Sequence, residues 1–469
     1  MKVLMFGWEF PPHISGGLGT ACFGLTQSLL QENNELLFVV PKAHGDEPAS
    51  TMQIINASDV PLPQLEPNEK KGRVQRIETI SRNNIATPGV MKETKISEQY
   101  STIEVQAALD PYSISTSTTT THTINRWNYE FPPGTNEAVD VVEATNFTEG
   151  VTEEPVLPVY QFSGTYGPKL SEEVDRYADV GKELARSYEF DIIHAHDWMT
   201  FPAGIMAKKE SGKPLVVHVH ATEVDRSGIS FGKVYDIEKK GMEEADCVVA
   251  VSEWTKNIIV QYYGIPEEKI QVVHNGIIPK DQAQAMQYPE SIGSRMVTFV
   301  GRITHQKGPR YFVEAARKVL DKFPDTHFAI VGSGDLLPQT IDRVAQLKMS
   351  KNFHFTGFLN NELINRIWMM SNVYVMPSVS EPFGITPLEA MQAGVPVIIS
   401  KQSGVSEILP HALKVNFWDT EALAEAICSV LQYQSLSSML KERGQKEIPR
   451  LTWKKSAQKL TRIYHAIAN

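Results

Sequence analysis

Residues 380–390 read Ser380-Glu381-Pro382-Phe383-Gly384-Ile385-Thr386-Pro387-Leu388-Glu389-Ala390, with two glutamates eight positions apart around a Pro-Phe-Gly turn. Upstream, residues 301–308 read Gly301-Arg302-Ile303-Thr304-His305-Gln306-Lys307-Gly308, with two cations five positions apart. Each segment follows a short apolar run and precedes a helical pattern. Paired cations suit a diphosphate, and paired carboxylates suit ribose hydroxyls or a developing positive charge on a sugar. The segments together predict a nucleotide diphosphate site beside a sugar.

Short apolar runs alternate with helical patterns on both sides of these segments. The predicted strands of a first series are 3–6, 36–40, 191–195, 215–219, 246–251 and 270–273, and those of a second series are 297–300, 327–331, 353–356, 373–376 and 395–399. Near-continuous apolar strands indicate a parallel sheet covered by helices on both faces. We therefore predict an α/β fold of two facing doubly wound units, with ligands in the cleft at the carboxyl ends of the strands.

Three stretches interrupt or end this alternation. Residues from about 43 to 168 are rich in Asn, Thr, Glu and Pro, and we interpret them as an insertion in the first unit. Residues 278–294 are polar and contain two prolines, which is typical of a linker. We therefore expect domains at 1–280 and 281–450, followed by an amphipathic helix within 451–469.

Charge and composition limit the partners. The chain has 469 residues, 42% of them hydrophobic, and a net charge of −10. An acidic balance argues against non-specific binding to nucleic acid or to an anionic membrane surface. No apolar stretch reaches the roughly 18 residues of a membrane-spanning helix, so we expect no membrane span.

Cysteine usage and the N-terminus point to a cytoplasmic protein. Cys22, Cys247 and Cys428 are far apart, which gives neither a disulfide framework nor a zinc-site spacing. Reduced, buried thiols are the simplest interpretation. Residues 1–7 read as a first strand rather than as a signal peptide.

Glycine-rich turns follow several of the predicted strands. Gly16 and Gly17 open the first helix, where free backbone N–H groups can bind a phosphate, although a tight strand-to-helix connection needs the same residues. Gly332 and Gly334 follow one strand of the second unit, and Ser403 and Gly404 follow another. These small residues suit either a turn or a close approach of backbone to a ligand.

Histidine and acidic residues end two strands of the first unit. His196 and Asp197 follow one strand, and His220 follows the next along the chain, with Glu223 and Asp225 close behind. Three ligands at the short, matched spacing of a metal site are missing, so we expect hydrogen bonds to substrate hydroxyls and no metal.

In combination these segments resemble the retaining nucleotide-sugar glycosyltransferases with the GT-B fold, and most of all the branch that holds glycogen synthase. The resemblance covers nearly the whole chain except 43–168. Its carriers are Gly301-Arg302 with Lys307-Gly308, Val331-Gly332-Ser333-Gly334, Glu381-Pro382-Phe383-Gly384 with Leu388-Glu389-Ala390, His194-Ala195-His196-Asp197-Trp198 and His220-Ala221-Thr222-Glu223. Synthases of this branch commonly have Lys where this chain has Ile14, which leaves donor and acceptor open.

The resemblance implies a role for each matching residue. Arg302 and Lys307 would hold the diphosphate, Glu381 would lie near the transferred sugar, and His220 and Asp197 would contact or organise the sugars. Glu389 would bind the ribose. The remaining donor-binding positions would be Gly16, Gly17, Gly332, Gly334, Phe383, Gly384, Ser403 and Gly404. The family needs no metal or other cofactor, and its last helix crosses back to the first domain.

The implied reaction is transfer of glucose from ADP-glucose or UDP-glucose to the non-reducing end of an α-1,4-glucan, with retention. Two alternatives stay open. One is a retaining transferase acting on another acceptor, such as a surface polysaccharide, a glycolipid, or a sugar of the sucrose or trehalose type. The other is a catalytically dead carbohydrate-binding protein. The oligomeric state is undetermined by the sequence.

Overall fold

The computed structural model describes residues 1–13, 16–48, 52–62, 159–279 and 295–468. Two parallel β-sheets, one of seven strands and one of six, form the centres of two Rossmann-like units. The linker expected at 278–294 falls mostly outside the described residues, as does most of the insertion expected at 43–168.

The first sheet has the strand order β3-β2-β1-β4-β5-β6-β7. Its strands are β1 Lys2–Phe6, β2 Glu35–Val40, β3 Gln53–Asn56, β4 Ile192–His196, β5 Leu215–Val219, β6 Cys247–Ala250 and β7 Ile270–Val272. Its helices are α1 Gly17–Gln31, α2 Leu170–Ser187, α3 Phe201–Ser211, α4 Glu223–Ser227, α5 Lys233–Glu244 and α6 Glu253–Ile258, which continues as a π-helical turn Ile259–Tyr263.

The second sheet has the strand order β10-β9-β8-β11-β12-β13. Its strands are β8 Met296–Val300, β9 His327–Val331, β10 Phe353–Gly357, β11 Val373–Met376, β12 Val397–Ser400 and β13 Leu413–Val415. Its helices are α7 Pro309–Lys322, α8 Leu337–Gln346, α9 Asn361–Met370, α10 Thr386–Gln392, α11 Thr420–Gln432 and α12 Gln434–Glu447, and the last helix of the chain is α13 Trp453–Ala468.

Two edge strands were missed by the sequence interpretation. The strand β3 lies within the range assigned to the insertion, and it pairs in parallel with β2 at the edge of the first sheet. The strand β13 pairs with β12 at the edge of the second sheet. Both are short, and β13 is only half-buried, so neither shows the apolar run that marks the central strands.

The last helix packs on the first unit although it follows the second along the chain. Trp453, Leu460 and Tyr464 of α13 are buried in one apolar cluster with residues of β1 and α1. Gly24 of α1 makes this packing possible, because a Cβ atom there would lie 2.2 Å from Nε1 of Trp453. The two helices therefore touch at a point where only hydrogen fits.

None of the helices within the described ranges is long and apolar enough to cross a membrane. The three cysteines are free and buried. Each thiol therefore sits within the packing of its own unit.

Replacing Gly24 by Ala is expected to destabilise the protein, because the new methyl group must push Trp453 and with it α13 away from α1. Overpacking of this kind costs about 1–3 kcal/mol. Equilibrium unfolding in urea measures the effect. Gly17→Ala is the matched control, since its Cβ would meet nothing within 4 Å. Equal stability of the two variants would contradict the tight packing of α13 on α1.

Candidate active site

The predicted site residues gather at the carboxyl edges of both sheets, at the positions where the strand order reverses. In the first sheet the reversal lies between β1 and β4, and in the second between β8 and β11. Helices diverge at such a point and leave a crevice, which is where open α/β sheets bind ligands. Gly16 and Asp197 follow the first pair of strands, and Arg302 and Glu381 follow the second.

A buried carboxylate and a lysine form an ion pair at the second crevice. Nζ of Lys307 lies 2.5 Å from Oε2 of Glu381, which also accepts a hydrogen bond from Oγ of Ser378 at 3.1 Å. Glu381 is 6% exposed. The backbone fixes the two loops to each other, since Val379 N donates to Gln306 O at 2.8 Å. The site thus holds opposite charges in a preformed position.

The second predicted cation has no such partner. Arg302 is exposed, and it makes no ion pair with the residues that the structure describes. Its guanidinium therefore keeps its donors available for an anion at the crevice. Glu389 lies in the first turn of α10 and is half-buried. Burial raises the pKa of Tyr374, and the charges of Glu381 and Glu389 raise this pKa further.

Several predicted glycines have a packing reason of their own. A Cβ at Gly332 would lie 2.0 Å from the carbonyl oxygen of Gly301, and one at Gly334 would lie 2.4 Å from that of Ile303. At Gly404 the obstacle is the carbonyl oxygen of Pro382, at 2.2 Å. These glycines let neighbouring turns touch, so their identity follows from packing whether or not a ligand binds.

The Pro-Phe-Gly turn divides between core and surface. The ring of Phe383 is 2% exposed and belongs to an apolar cluster beneath the site. Only the backbone of this residue can therefore contact a ligand in the crevice. Gly384 has φ +99, a conformation that disfavours a side chain. Ser403 is buried, and its hydroxyl donates to Ser400 O at 2.6 Å.

The N-terminus of α1 faces the first crevice. Gly16 and Gly17 would meet nothing within 4 Å if they carried a Cβ, so packing does not require glycine at either position. Open space at a helix N-terminus suits an anion. Glu9, which the sequence interpretation missed, already accepts the N–H of Gly19 at 3.1 Å. Its carboxylate therefore shares this helix end with any anion that binds.

Asp197 accepts backbone hydrogen bonds from the loop that carries His220. It has φ +59, and its Oδ1 accepts the N–H of His220 at 2.7 Å and that of Ala221 at 3.4 Å. Burial raises the pKa of this carboxyl to about 7, while the nearby Arg226 opposes the shift. Asp197 thus organises the site from beneath through backbone contacts.

The two units touch across the cleft through residues that the sequence interpretation did not assign to this role. Asp225 accepts a hydrogen bond from Oγ of Ser380 at 2.5 Å, and Oγ of Ser252 donates to Pro382 O at 2.5 Å. Glu407 accepts the N–H groups of Glu253 and Trp254 at the start of α6. Sequence spacing gives no hint of pairs that lie 130–155 residues apart, although Asp225 had drawn notice as an acidic residue near a strand end.

An exposed aromatic residue was also missed. Phe358 directly follows β10 at the carboxyl edge of the second sheet, and 74% of its surface is exposed. The preceding Gly357 pairs with Gly332 in an isolated bridge, which brings this turn next to the Gly332 turn. An aromatic residue immediately after a strand is the sequence signal that would have identified it.

Histidines and one cysteine form the only groups of nitrogen and sulfur atoms, within the described residues, whose spacing would suit a metal ion. One group is Cys22, His196 and His220, and the other is His194, His196 and His218, with ligand atoms within 4.8 Å of one another in each. The sequence interpretation expected no metal, and that stays a prediction.

Asp197→Asn is expected to remove a pH dependence of stability. A carboxyl whose pKa is about 7 in the folded protein and 3.8 in the unfolded chain takes up a proton on folding between those values. The wild-type protein therefore loses stability as pH rises from about 4 to about 7, and the variant lacks this component. Urea unfolding of both proteins at pH 5, 6, 7 and 8 measures it. A constant stability difference across this range would contradict the raised pKa.

The chain matches two family models that adjoin each other. Residues 282–447 match glycosyl transferases group 1, and residues 137–281 match glycosyltransferase family 4. The boundary between the two matches falls between the two sheets, and the second match covers the part of the first unit that contains β4 to β7.

Curated relatives agree with these matches. An uncharacterised glycosyltransferase of Methanocaldococcus jannaschii is 30% identical over 295 residues, which is 59% of this chain and 75% of that protein. A glycogen synthase of Mycobacterium tuberculosis is 28% identical over 254 residues, 52% of this chain and 61% of that protein. An alpha-maltose-1-phosphate synthase of Mycolicibacterium smegmatis is 28% identical over 309 residues, which is 59% of this chain and 79% of that protein.

Solved structures share the arrangement of the two units. A sucrose-phosphate synthase from Thermosynechococcus elongatus has a TM-score of 0.64 at 17% identity, over 99% of this chain and 98% of that one. Anabaena HepE in complex with UDP-glucose has a TM-score of 0.59 at 14% identity, over 99% and 100% of the two chains. The predicted GT-B fold is confirmed, and the chain belongs to the group 1 glycosyltransferases.

Proposed function

We propose that this protein is a retaining glycosyltransferase of the glycogen synthase type. It moves glucose from ADP-glucose or UDP-glucose to the non-reducing end of an α-1,4-glucan. The observation that carries the proposal is the charge arrangement at the second crevice, where the paired Lys307 and Glu381 lie beside the exposed Arg302. The first unit presents the N-terminus of α1 and His220 from its own crevice.

The donor would lie with its diphosphate against the cations. Arg302 offers a planar fork of donors and Lys307 a compact charge, and both favour the dianion that forms when the sugar leaves. Gly16 and Gly17 would bring backbone N–H groups to the same phosphates. Glu389 would accept hydrogen bonds from the ribose hydroxyls, and the ring of Phe358 offers a face on which a nucleobase can stack.

The chemical step exchanges one bond at the anomeric carbon for another. The bond from C1 to the β-phosphate oxygen breaks as a bond from the acceptor oxygen to C1 forms on the same face of the sugar. The acceptor's proton goes to the leaving phosphate oxygen, and the cations stabilise the nucleoside diphosphate. Glu381 would stabilise positive charge on the sugar, and His220 would hold a sugar hydroxyl.

The glucan acceptor is supported by the two 28% identical relatives, the glycogen synthase and the alpha-maltose-1-phosphate synthase. The second of these names also favours the alternative of a small phosphorylated acceptor. We assign the protein to the cytoplasm, in keeping with its three free thiols.

Arg302→Ala is expected to lower kcat/KM for donor turnover by about 10²–10³-fold, because one cation no longer stabilises the leaving diphosphate. Release of UDP or ADP from the corresponding glucose donor measures it. The control is Arg295→Ala, which removes a guanidinium paired with Asp325 at the opposite edge of the same sheet. Full activity of the Arg302 variant would contradict the proposed donor site.

An acceptor panel separates the candidate reactions. Release of UDP or ADP that depends on glycogen or maltooligosaccharide, with lengthening of the glucan and α-linked product by NMR, is expected. Release that depends on a sugar phosphate instead would favour the alternative acceptor. If no donor and acceptor combination is turned over, while the donors still bind, the protein is a carbohydrate-binding protein on this fold.

A further inference from the structure

Four histidines form a column under the cleft. His194 and His196 lie on one face of β4, His218 lies on the same face of the adjacent β5, directly beside His196, and His220 immediately follows β5. The rings of His194 and His196 are stacked at 4.3 Å, and those of His218 and His220 at 4.4 Å. Three of these residues are fully buried, and His220 is half-buried at the cleft end.

All four rings are neutral at pH 7. Burial lowers the pKa of His194 and of His220 to about 3, and it lowers the pKa values of His196 and His218 well below the usual range. A neutral imidazole carries one N–H donor and one acceptor nitrogen, so each ring must hold its proton on one side. Hydrogen bonds to neighbouring groups decide which side.

Tyr464 of α13 determines which nitrogen of His194 carries the proton. Its hydroxyl lies 2.5 Å from Nδ1 of His194, and burial raises the pKa of Tyr464, which keeps the hydroxyl protonated. Within the described residues the hydroxyl has no other hydrogen-bond partner, so a donation to Nδ1 is the arrangement that satisfies its proton. His194 then carries its own proton at Nε2.

One proton is shared between the next two rings. Nδ1 of His196 lies 2.9 Å from Nε2 of His220. If His220 donated, His196 would carry its N–H at Nε2. That nitrogen has no partner in the described part of the chain, and neither has Nε2 of His194. Donation by His220 would therefore add a second buried N–H without a partner, at Nε2 of His196, to the one at Nε2 of His194.

We propose that His196 is a positioning residue, which donates its Nδ1–H to Nε2 of His220 and thereby holds His220 in the tautomer protonated at Nδ1. The opposite arrangement places an N–H donor without a partner at the buried Nε2 of His196, whereas this one places only an acceptor there and moves the proton of His220 to the cleft side of its ring. The hydrogen bond between Tyr464 and His194 is separate from the one between His196 and His220, since Nε2 of His194 has no partner within the described residues.

The consequence concerns the reaction. His220 Nδ1 makes no hydrogen bond to the residues that the structure describes, so its proton is available to a ligand in the cleft. His220 then donates to an oxygen of the sugar and cannot serve as a base. The role of His220 in the reaction rests on the proposed function, whereas the proton positions can be measured whether or not the protein is active.

Nitrogen-15 NMR of histidine-labelled protein without ligand tests the proton positions. Long-range couplings distinguish the two neutral tautomers, and single His→Gln variants assign the signals. We expect protonation at Nδ1 for His220 and His196 and at Nε2 for His194, at pH 7. A His220 ring protonated at Nε2 overturns the proposal, whatever the enzyme turns over.

Variants test the role of the column. His196→Leu is expected to give His220 a mixture of tautomers and to lower kcat/KM for UDP release from UDP-glucose about tenfold, since a buried hydrogen bond no longer orients the His220 ring. Tyr464→Phe is expected to change the tautomer of His194 and to leave that of His220 unchanged, because no hydrogen bond joins His194 to His196. His196→Asn, whose amide N–H replaces Nδ1–H, is expected to restore both readouts. Tyr177→Phe is the control, because it removes a buried hydroxyl that bonds Gly7 and Val39 instead.

The outcomes separate the two proposals. An unchanged His220 tautomer and unchanged kinetics in His196→Leu would overturn the positioning role. Wild-type protein that shows the expected tautomers but turns over no nucleotide sugar would refute the proposed function and leave the tautomer assignment standing. If His196→Leu loses its fold by circular dichroism, the tautomer of His220 in the wild-type protein remains the deciding measurement.

Discussion

The parallel register of every strand in both sheets is the constraint on which the rest of the structure depends. Parallel strands need a helical crossover after each strand, and the crossovers cover both faces. All strand ends of one polarity therefore lie along one edge. The glycine turn after β1, the aspartate after β4, the arginine after β8 and the glutamate after β11 are brought together by this rule, although they lie far apart in the chain.

Close contacts of backbone with backbone then hold the turns in place. Gly332, Gly334 and Gly404 each lie where a side chain would overlap a neighbouring carbonyl oxygen. The resulting turns are rigid, and they place Glu381 and Lys307 in contact before any ligand arrives. Preorganised charge of this kind is effective because it needs no rearrangement when charge develops in the reaction.

The first unit contributes a different kind of environment. Its edge holds neutral histidines and a half-protonated aspartate in the buried layer beneath the cleft, while the second unit contributes the ion pair of Lys307 with Glu381 and the exposed Arg302. The last helix belongs to this first environment through Tyr464, although it follows the second unit in the chain. A buried polar layer of this kind is specified only when each donor finds an acceptor.

The central strands could be predicted from the sequence, because a strand covered on both faces is a short apolar run bounded by turn residues. The edge strands β3 and β13 could not, since one exposed edge relaxes the need for apolar side chains. The functional segments at 301–308 and 381–389 could be predicted because their charges stand at strand ends.

By itself the sequence determined the α/β class, the two units and the charged segments, since each depends on local pattern along the chain. Only the tertiary structure decided which residues meet across the cleft, why particular glycines are required, and that Phe383 is core while Phe358 is exposed. It also decided that four histidines on and directly after two adjacent strands come together, with a tyrosine from the last helix bonded to one of them. The hydrogen-bonded pairs among these residues lie 24 to 270 positions apart in the chain, so no local sequence pattern predicts them.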